Sequence, residues 1–244
     1  MIKKLGIFDS GLGGYSVYHD LMQTGPDITY ILYADQKNAP YGNKSASAIT
    51  SLAIDAMQWF QKQGIKHVLL ACNTVSSIAL ESLQSKFPDM TIWGIIDLTL
   101  AQLEEEKVSK LAVVSTVATH QSNAYQNKWG QTNFISKPLP SLVSYIEDNT
   151  PIKQIDAYLH DQLSSLADSS HLILACTHYP LVHDLFVENY SGKIVDSRAP
   201  IRDFVYKNAS NSQKLGQIYT SGNPSIMEQQ IFHLFGVREK VSGL

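Results

Sequence analysis

The sequence predicts an α/β fold: two pseudo-symmetric open-sheet α/β domains with mostly parallel strands and the active site in the cleft between them. The first observation behind this is the stretch His67-Val68-Leu69-Leu70-Ala71-Cys72-Asn73-Thr74. Its apolar run has neither helical nor alternating spacing, the pattern of a strand buried on both faces of a parallel sheet. It stops at a thiol, followed by small polar residues able to cap a helix and by Ser77-Ile78-Ala79-Leu80-Glu81-Ser82-Leu83 at helical spacing. The second observation is a repeat of that setting in His171-Leu172-Ile173-Leu174-Ala175-Cys176-Thr177-His178-Tyr179-Pro180. The third is that Lys4-Leu5-Gly6-Ile7-Phe8-Asp9-Ser10 matches Lys110-Leu111-Ala112-Val113-Val114-Ser115-Thr116 at nearly the same offset. Two matched pairs at one spacing indicate two similar half-molecules, each with a cysteine where a strand ends and a helix begins. In open α/β sheets ligands bind at such places, because loops there surround a crevice into which helix amino termini point N–H groups.

In chain order, residues 5–8 read as the first strand, and Asp9-Ser10-Gly11-Leu12-Gly13-Gly14 as a turn into a helix running to residue 22. The glycines let backbone approach an anionic ligand. As a dinucleotide fingerprint the turn fails, since the third glycine would fall at Ser16. Asp9 is either a helix cap or a wall of the crevice that Cys72 faces. Residues 28–34 form the second strand. The polar loop 35–45 that follows is either a surface connection or a cover over the crevice. A helix over 47–63 ends at Gly64, the Cys72 strand follows, and residues 91–96 read as another strand. A helix opening at Asp97 carries Glu104-Glu105-Glu106-Lys107 as a solvated face.

The second half starts with a strand over 111–114, then Ser115-Thr116-Val117-Ala118-Thr119 and a helix to residue 128. Residues 134–140 read as irregular, 141–148 and 151–166 as helices, and 194–197 as the last strand before the chain returns to the first domain. The domain limits expected are 1–95 with 203–244, and 96–202.

Composition narrows the function. The net charge of −3 offers no footprint for nucleic acid or an anionic membrane, so a small molecule is the expected partner. The apolar run at the start is cut by Asp9, which argues against a signal peptide, and no run is long enough to span a bilayer. Two cysteines, with no CxxC and no His/Cys cluster, form neither a disulfide framework nor a zinc site; free thiols, no cofactor and a cytoplasmic location are expected.

A strand-end thiol can be a nucleophile, a redox partner, a metal ligand or an acid/base. A nucleophile needs one thiol and leaves the other unexplained, and a redox pair normally lies close in sequence. Acid/base work on opposite faces of one carbon uses both: one thiol removes a proton and the other returns one, as inversion at a carbon between amine and carboxylate requires. An ordinary thiol is only slightly ionised at neutral pH, so each needs a helper, and Asp9 and His178 are the nearest in kind. Ser10, Asn73, Thr74 and Thr177 are suited to hold the carboxylate and amine, and preorganised dipoles must stabilise the carbanion.

The motifs Asp9-Ser10-Gly11-Leu12-Gly13-Gly14, Pro40-Tyr41-Gly42-Asn43-Lys44-Ser45, Ala71-Cys72-Asn73-Thr74, Thr116 with Thr119, Ala175-Cys176-Thr177-His178-Tyr179-Pro180 and Val195-Asp196-Ser197 occur in the order of the aspartate/glutamate racemase family. The chain resembles the glutamate branch of that family over nearly its whole length. The resemblance implies a cofactor-independent racemase that interconverts L- and D-glutamate for peptidoglycan in a bacterial cytoplasm, commonly as a homodimer. It implies that Cys72 acts on D-glutamate with Asp9 assisting, and Cys176 on L-glutamate with His178 assisting. Glu147 matches an acidic residue of the family site. Ser10, Tyr41, Gly42, Asn73, Thr74, Thr116, Thr119 and Thr177 match substrate-contacting positions, and no position matches a metal ligand. The segment Leu139-Pro140-Ser141-Leu142-Val143-Ser144-Tyr145-Ile146 departs from the family's Cys-Pro and apolar run, with consequences for the cleft wall or the dimer surface. Regulation by DNA gyrase binding or by a cell-wall precursor is not legible in the sequence. An aspartate racemase, or a non-catalytic amino-acid-binding protein on the same scaffold, are the alternatives.

Overall fold

A computed structural model describes residues 1–104 and 106–244 of the chain. The first half runs β1 (Lys4–Asp9), α1 (Gly14–Thr24), β2 (Thr29–Ala34), α2 (Ala46–Lys62), β3 (His67–Leu70), α3 (Asn73–Lys86), β4 (Thr91–Gly94) and α4 (Ile95–Ala101). The second runs β5 (Leu111–Ser115), α5 (Val117–Gln121), α6 (Ala124–Trp129), β6 (Phe134–Pro138), α7 (Leu142–Glu147), α8 (Ile152–Leu163), β7 (His171–Ala175), α9 (His183–Asn189) and β8 (Lys193–Val195). The chain then adds α10 (Arg198–Asn208), β9 (Leu215–Thr220), α11 (Pro224–Phe235) and β10 (Val241–Gly243).

These strands make two sheets, ordered β10-β9-β2-β1-β3-β4 and β6-β5-β7-β8, with every described pairing between strands parallel. The order β2-β1-β3-β4 recurs as β6-β5-β7-β8, so the repeat read from the sequence is a repeat of topology. In this order the chain reverses its direction of winding between β1 and β3, and again between β5 and β7. At such a switch point the helices leave on opposite faces and open a crevice beyond the strand ends. β9 and β10 extend only the first sheet.

Burial explains the continuous apolar runs. Ile7, Val68, Leu69, Leu70, Val113, Leu172 and Ile173 are essentially inaccessible, as central strands covered on both faces must be. α2 starts where the Ser45 hydroxyl accepts from Ala48 N at 3.3 Å. It lays Ile49, Ala53, Ala56, Met57 and Phe60 against Phe8, Val68 and Leu70 on one face of the first sheet. On the other face a core cluster runs without a break into the second half, joining Leu5, Ile7 and Leu69 with Leu111, Val113, Tyr125, Ile173 and Val195. The two halves are thus docked through a shared apolar layer.

Four expectations need correction. The helix expected to run to residue 128 is two, α5 and α6, because Asn123 between them takes a left-handed φ of 54°. Residues 91–96 are not all strand: β4 ends at Gly94 and α4 begins at Ile95, not at Asp97. An apolar run cannot by itself separate a buried strand from a buried helix start, and Gly94, in extended conformation, caps the helix whose first residues Ile95 and Ile96 are buried. Residues 134–138 are not irregular but form β6, an edge strand pairing with β5, where a terminal proline costs no ladder hydrogen bond. The acidic run does not sit on a helix face, because α4 ends at Ala101. Glu104 is exposed, Glu106 pairs with Lys193 and His171, and Glu105 lies outside the described residues.

Replacing a central-strand side chain leaves a cavity that this packed layer cannot fill. Leu69→Ala is expected to lower unfolding free energy by about 2–5 kcal/mol. The half-exposed Leu215 at the start of β9, mutated to alanine, is expected to cost under about 0.5 kcal/mol. Urea unfolding of both variants checks the difference.

Candidate active site

The strand ends at the two switch points face a single cleft of about 550 Å³. From the first half, Ser10 follows β1 and Cys72, Asn73 and Thr74 follow β3; from the second, Thr116 follows β5 and Cys176, Thr177 and His178 follow β7; all line the cleft. Tyr41, Gly42 and Glu147 also line it. Both cysteines are free and buried. Of the sequence-predicted residues, Asp9 and Thr119 are brought to the site but stand behind its wall. Thr119 hydrogen-bonds with Thr74 at 3.3 Å and Thr116 at 3.0 Å, and Thr74 with Thr116 at 2.9 Å, a hydroxyl cluster that crosses between the halves.

Asp9 is fully buried. Its Oδ1 accepts from Gly11 N at 2.9 Å, a local cap, while its Oδ2 accepts from the Thr177 hydroxyl at 3.2 Å, across the cleft. Ser16 of α1 donates to the Thr177 carbonyl at 2.8 Å. This contact between halves is possible because residue 13 is glycine: a Cβ there would stand 2.3 Å from Thr177 Oγ1 and 2.5 Å from His178 Nδ1. Burial pushes Asp9 up to about 6, against the pull of the His178 ring and of the Gly11 and Thr177 donors.

The two thiols sit in different fields. Burial pushes Cys72 up to about 12, and the neighbouring Asp9 carboxylate adds to it, opposed by Ser10 and by the Val75 N–H in the first turn of α3. Its Sγ donates to Ser10 Oγ at 3.3 Å. Cys72 therefore carries its proton at neutral pH. Cys176 Sγ lies 3.8 Å from His178 Nδ1, and His178 Nε2 donates to Glu147 Oε1 at 2.6 Å. Burial disfavours an imidazolium there, but the Cys176 thiol and the Glu147 carboxylate outweigh it and push His178 up to about 10. One thiol holds its proton at rest, and the other stands beside a histidine that is paired with a carboxylate.

Some residues of the site carry no sequence signal. Tyr125, buried on α6, donates to Asn73 Oδ1 at 2.7 Å, and Asn73 Nδ2 makes no hydrogen bond among the described residues. Asp35 holds the Tyr41 hydroxyl, and Gln36 and Gln230, joined at 2.9 Å, line the outer cleft. Only their position in the fold identifies them, since no motif marks Tyr125, Asp35, Gln36 or Gln230 in the sequence. The polar loop after β2 is a cover: Ala39, Pro40, Tyr41, Gly42 and Asn43 all line the cleft. In the divergent segment before Glu147, Leu139, Pro140, Val143 and Ser144 line the cleft, whereas Tyr145 packs edge-on against Tyr158 of α8. No three metal-ligating side chains gather among the described residues, and no helix there is long and apolar enough to cross a membrane.

Comparison with known proteins places this geometry. Residues 15–198 match the model of the Asp/Glu/Hydantoin racemase family. A glutamate racemase of Clostridium perfringens (strain SM101) is 35% identical over 199 residues, 79% of this chain and 76% of that protein. Among solved structures, glutamate racemase from Campylobacter jejuni superposes with a TM-score of 0.86 at 26% identity, covering 97% of this chain and 100% of that one. A glutamate racemase isoform from Bacillus anthracis has the same fold, with a TM-score of 0.88 at 24% identity over 99% of this chain and 97% of that one.

The raised Asp9 carboxyl makes stability depend on pH. As pH rises from about 4 to 6 the unfolded chain releases this proton while the folded chain keeps it, so the Asp9 contribution to stability falls through that window and stays low above it. Asp9→Asn has no charge to bury and is expected to be more stable than the parent at pH 7.5, by up to about 3 kcal/mol. The gap should close as pH is lowered to 4; a gap that does not change with pH in urea unfolding contradicts the assignment.

Proposed function

The chain belongs to the Asp/Glu/Hydantoin racemase family, and from that premise we infer that it interconverts L-glutamate and D-glutamate by proton transfer between its own side chains. The observation that carries the mechanism is that the chain's two cysteines end equivalent strands of two repeated halves and line one cleft. A substrate α-carbon between them presents one face to each sulfur.

Starting from L-glutamate, the Cys176 thiolate takes the α-proton and its sulfur becomes a thiol. The electron pair left on the α-carbon delocalises into the adjacent carboxylate. The Cys72 thiol then gives its proton to the opposite face, leaving a Cys72 thiolate and D-glutamate. The reverse reaction runs the same steps backwards, and exchange with water resets the two sulfurs. The resting site is arranged for the first direction, with Cys72 protonated and Cys176 beside the His178–Glu147 pair. Asp9 is the group in kind and place to help Cys72 lose its proton when D-glutamate is the substrate. Ser10, Tyr41, Gly42, Asn73, Thr74, Thr116 and Thr177 supply the hydroxyls, amide and N–H groups for the substrate's carboxylates and amine, with Thr119 fixing the Thr74 and Thr116 hydroxyls. The first turn of α3, opening at Cys72, points its N–H groups towards the charge that develops.

The reading extends to context. The D-glutamate serves peptidoglycan synthesis in the cytoplasm, the enzyme works as a homodimer without a cofactor, and the units that enclose the substrate are residues 1–95 with 203–244 and residues 96–202. What supports these is the family membership and the division of strands between the two sheets.

The test is to incubate the protein with L-glutamate in deuterated water, following optical rotation and the α-proton NMR signal, with L-aspartate alongside. Racemisation of glutamate with deuterium entering at the α-carbon is the expected result; preference for aspartate, or binding without exchange, overturns it. Cys72→Ser and Cys176→Ser are each expected to slow racemisation by about 10²–10⁴-fold or more while remaining folded. Glu147→Gln, which leaves His178 in place without its carboxylate, should lose less. A fully active single cysteine variant excludes the two-base mechanism.

A further inference from the structure

The cover over the cleft has open space on both sides. Gln36, Ala39, Tyr41 and Gly42 face the 550 Å³ cleft, while Asp35, Lys37 and Asn38 face a second cavity of about 340 Å³ behind it. Tyr41 packs into the core of the first half, but Lys37, Ala39, Pro40 and Asn43 around it are exposed, so hydrogen bonds must orient what packing leaves free. They converge on one group. The Asp35 carboxylate, 3% exposed, accepts from the Tyr41 hydroxyl at 2.5 Å, the Ser221 hydroxyl at 2.5 Å and Asn38 Nδ2 at 3.0 Å. Ser221 in turn accepts from Lys37 N at 3.1 Å, tying the cover to the end of β9. The Asp35 backbone N donates to the Asp9 carbonyl at 3.0 Å, so the anchor is seated directly on the strand end that carries Asp9 and Ser10.

No lysine or arginine pairs with Asp35 among the described residues; three neutral donors satisfy it. Burying a carboxylate on neutral donors is a costly way to build a loop if stability is the only end. It does, however, impose a direction. A carboxylate has no hydrogen to donate, so both the Tyr41 and the Ser221 hydroxyl must donate inwards, and the cover is drawn at Asp35 to its own Tyr41 and to the end of β9.

We propose that Asp35 is a positioning residue of the reaction: it acts through the Tyr41 hydroxyl, seating Tyr41 and the adjoining Gly42 backbone where they close over the substrate. The proposal rests on the racemase reading for its activity test, but not for its structural one. The two hydroxyls donate to different oxygens of Asp35, and Asp35→Asn turns one of those oxygens into an NH2 donor and removes the charge, so the hold on Tyr41 and Ser221 is loosened.

The experiment compares the parent with D35N, Y41F and the double variant D35N/Y41F. D35N is expected to raise KM for L-glutamate about tenfold, the scale of one lost charge-assisted hydrogen bond, with kcat changed less than about threefold. Because Asp35 acts through the Tyr41 hydroxyl, adding D35N to Y41F should raise KM no further. Hydrogen exchange supplies the second arm: the amides of residues 41–44 should exchange at least about tenfold faster in D35N while those of β1 and β3 are unchanged. An unchanged KM in D35N, independent multiplying effects in the double variant, or unaltered exchange at residues 41–44 overturns the proposal. If the parent itself fails to racemise glutamate, the functional reading falls, and the exchange arm still decides whether Asp35 holds the cover. Should D35N not fold, Y41F breaks the same hydrogen bond from the other side and must show the same local exchange.

Discussion

The contact on which this structure turns is the one between Asp9 and Thr177 across the cleft, with the bare backbone of Gly13 beneath it. Two-sided proton transfer at one carbon needs two bases on opposed walls, held at a fixed separation, and no single strand end provides that. The repeated halves each contribute a switch point, but the spacing between them is set where α1 and its preceding turn meet the loop after β7. The Ser16 hydrogen bond to the Thr177 carbonyl and the hydroxyl cluster of Thr74, Thr116 and Thr119 fix the same distance elsewhere. Behind them the shared apolar layer makes the docking of the halves a matter of core packing.

The same contact builds an electrostatic asymmetry out of a near-symmetric scaffold. Asp9 lies on the Cys72 side and raises that thiol, whereas the corresponding strand end in the second half carries Ser115 and Thr116, which bear no charge. His178 lies on the Cys176 side, held by Glu147 from α7, and the first half places Thr74 two residues after its cysteine, where the second places His178. Repetition supplies two thiols at equivalent strand ends; the unmatched neighbours give them different surroundings. A perfectly symmetric pair would start with both sulfurs in the same protonation state, which suits neither direction of the reaction.

Much of this is legible in the chain because it depends on local order. The buried strands show as continuous apolar runs, the strand-to-helix turns show as small polar residues after them, and the repeat shows as matched segments. A thiol placed at such a turn is at the crevice wherever the rest of the chain goes, since every parallel strand delivers its carboxyl end to the same edge of the sheet. The errors fall where local pattern underdetermines structure. Ile95 and Ile96 fit a strand or a helix equally well until Gly94 caps the helix, and β6 becomes a strand only because β5 is there to pair with it.

By itself, then, the sequence determined the class of fold, the doubling of the halves, and which side chains stand at the strand ends, since hydrophobic period and turn chemistry act over a few residues. Tertiary structure alone decided which of those side chains support others from behind: Asp9 and Thr119 at the rear of the wall, Tyr125 on Asn73, Asp35 on Tyr41. It also decided that the Cys72 thiol is pushed up, because burial and the field of a carboxylate depend on the elements that close around a group. The physical reason is one of range: propensity and periodicity are written along the chain, whereas desolvation and hydrogen-bond partnership come from residues brought together by folding.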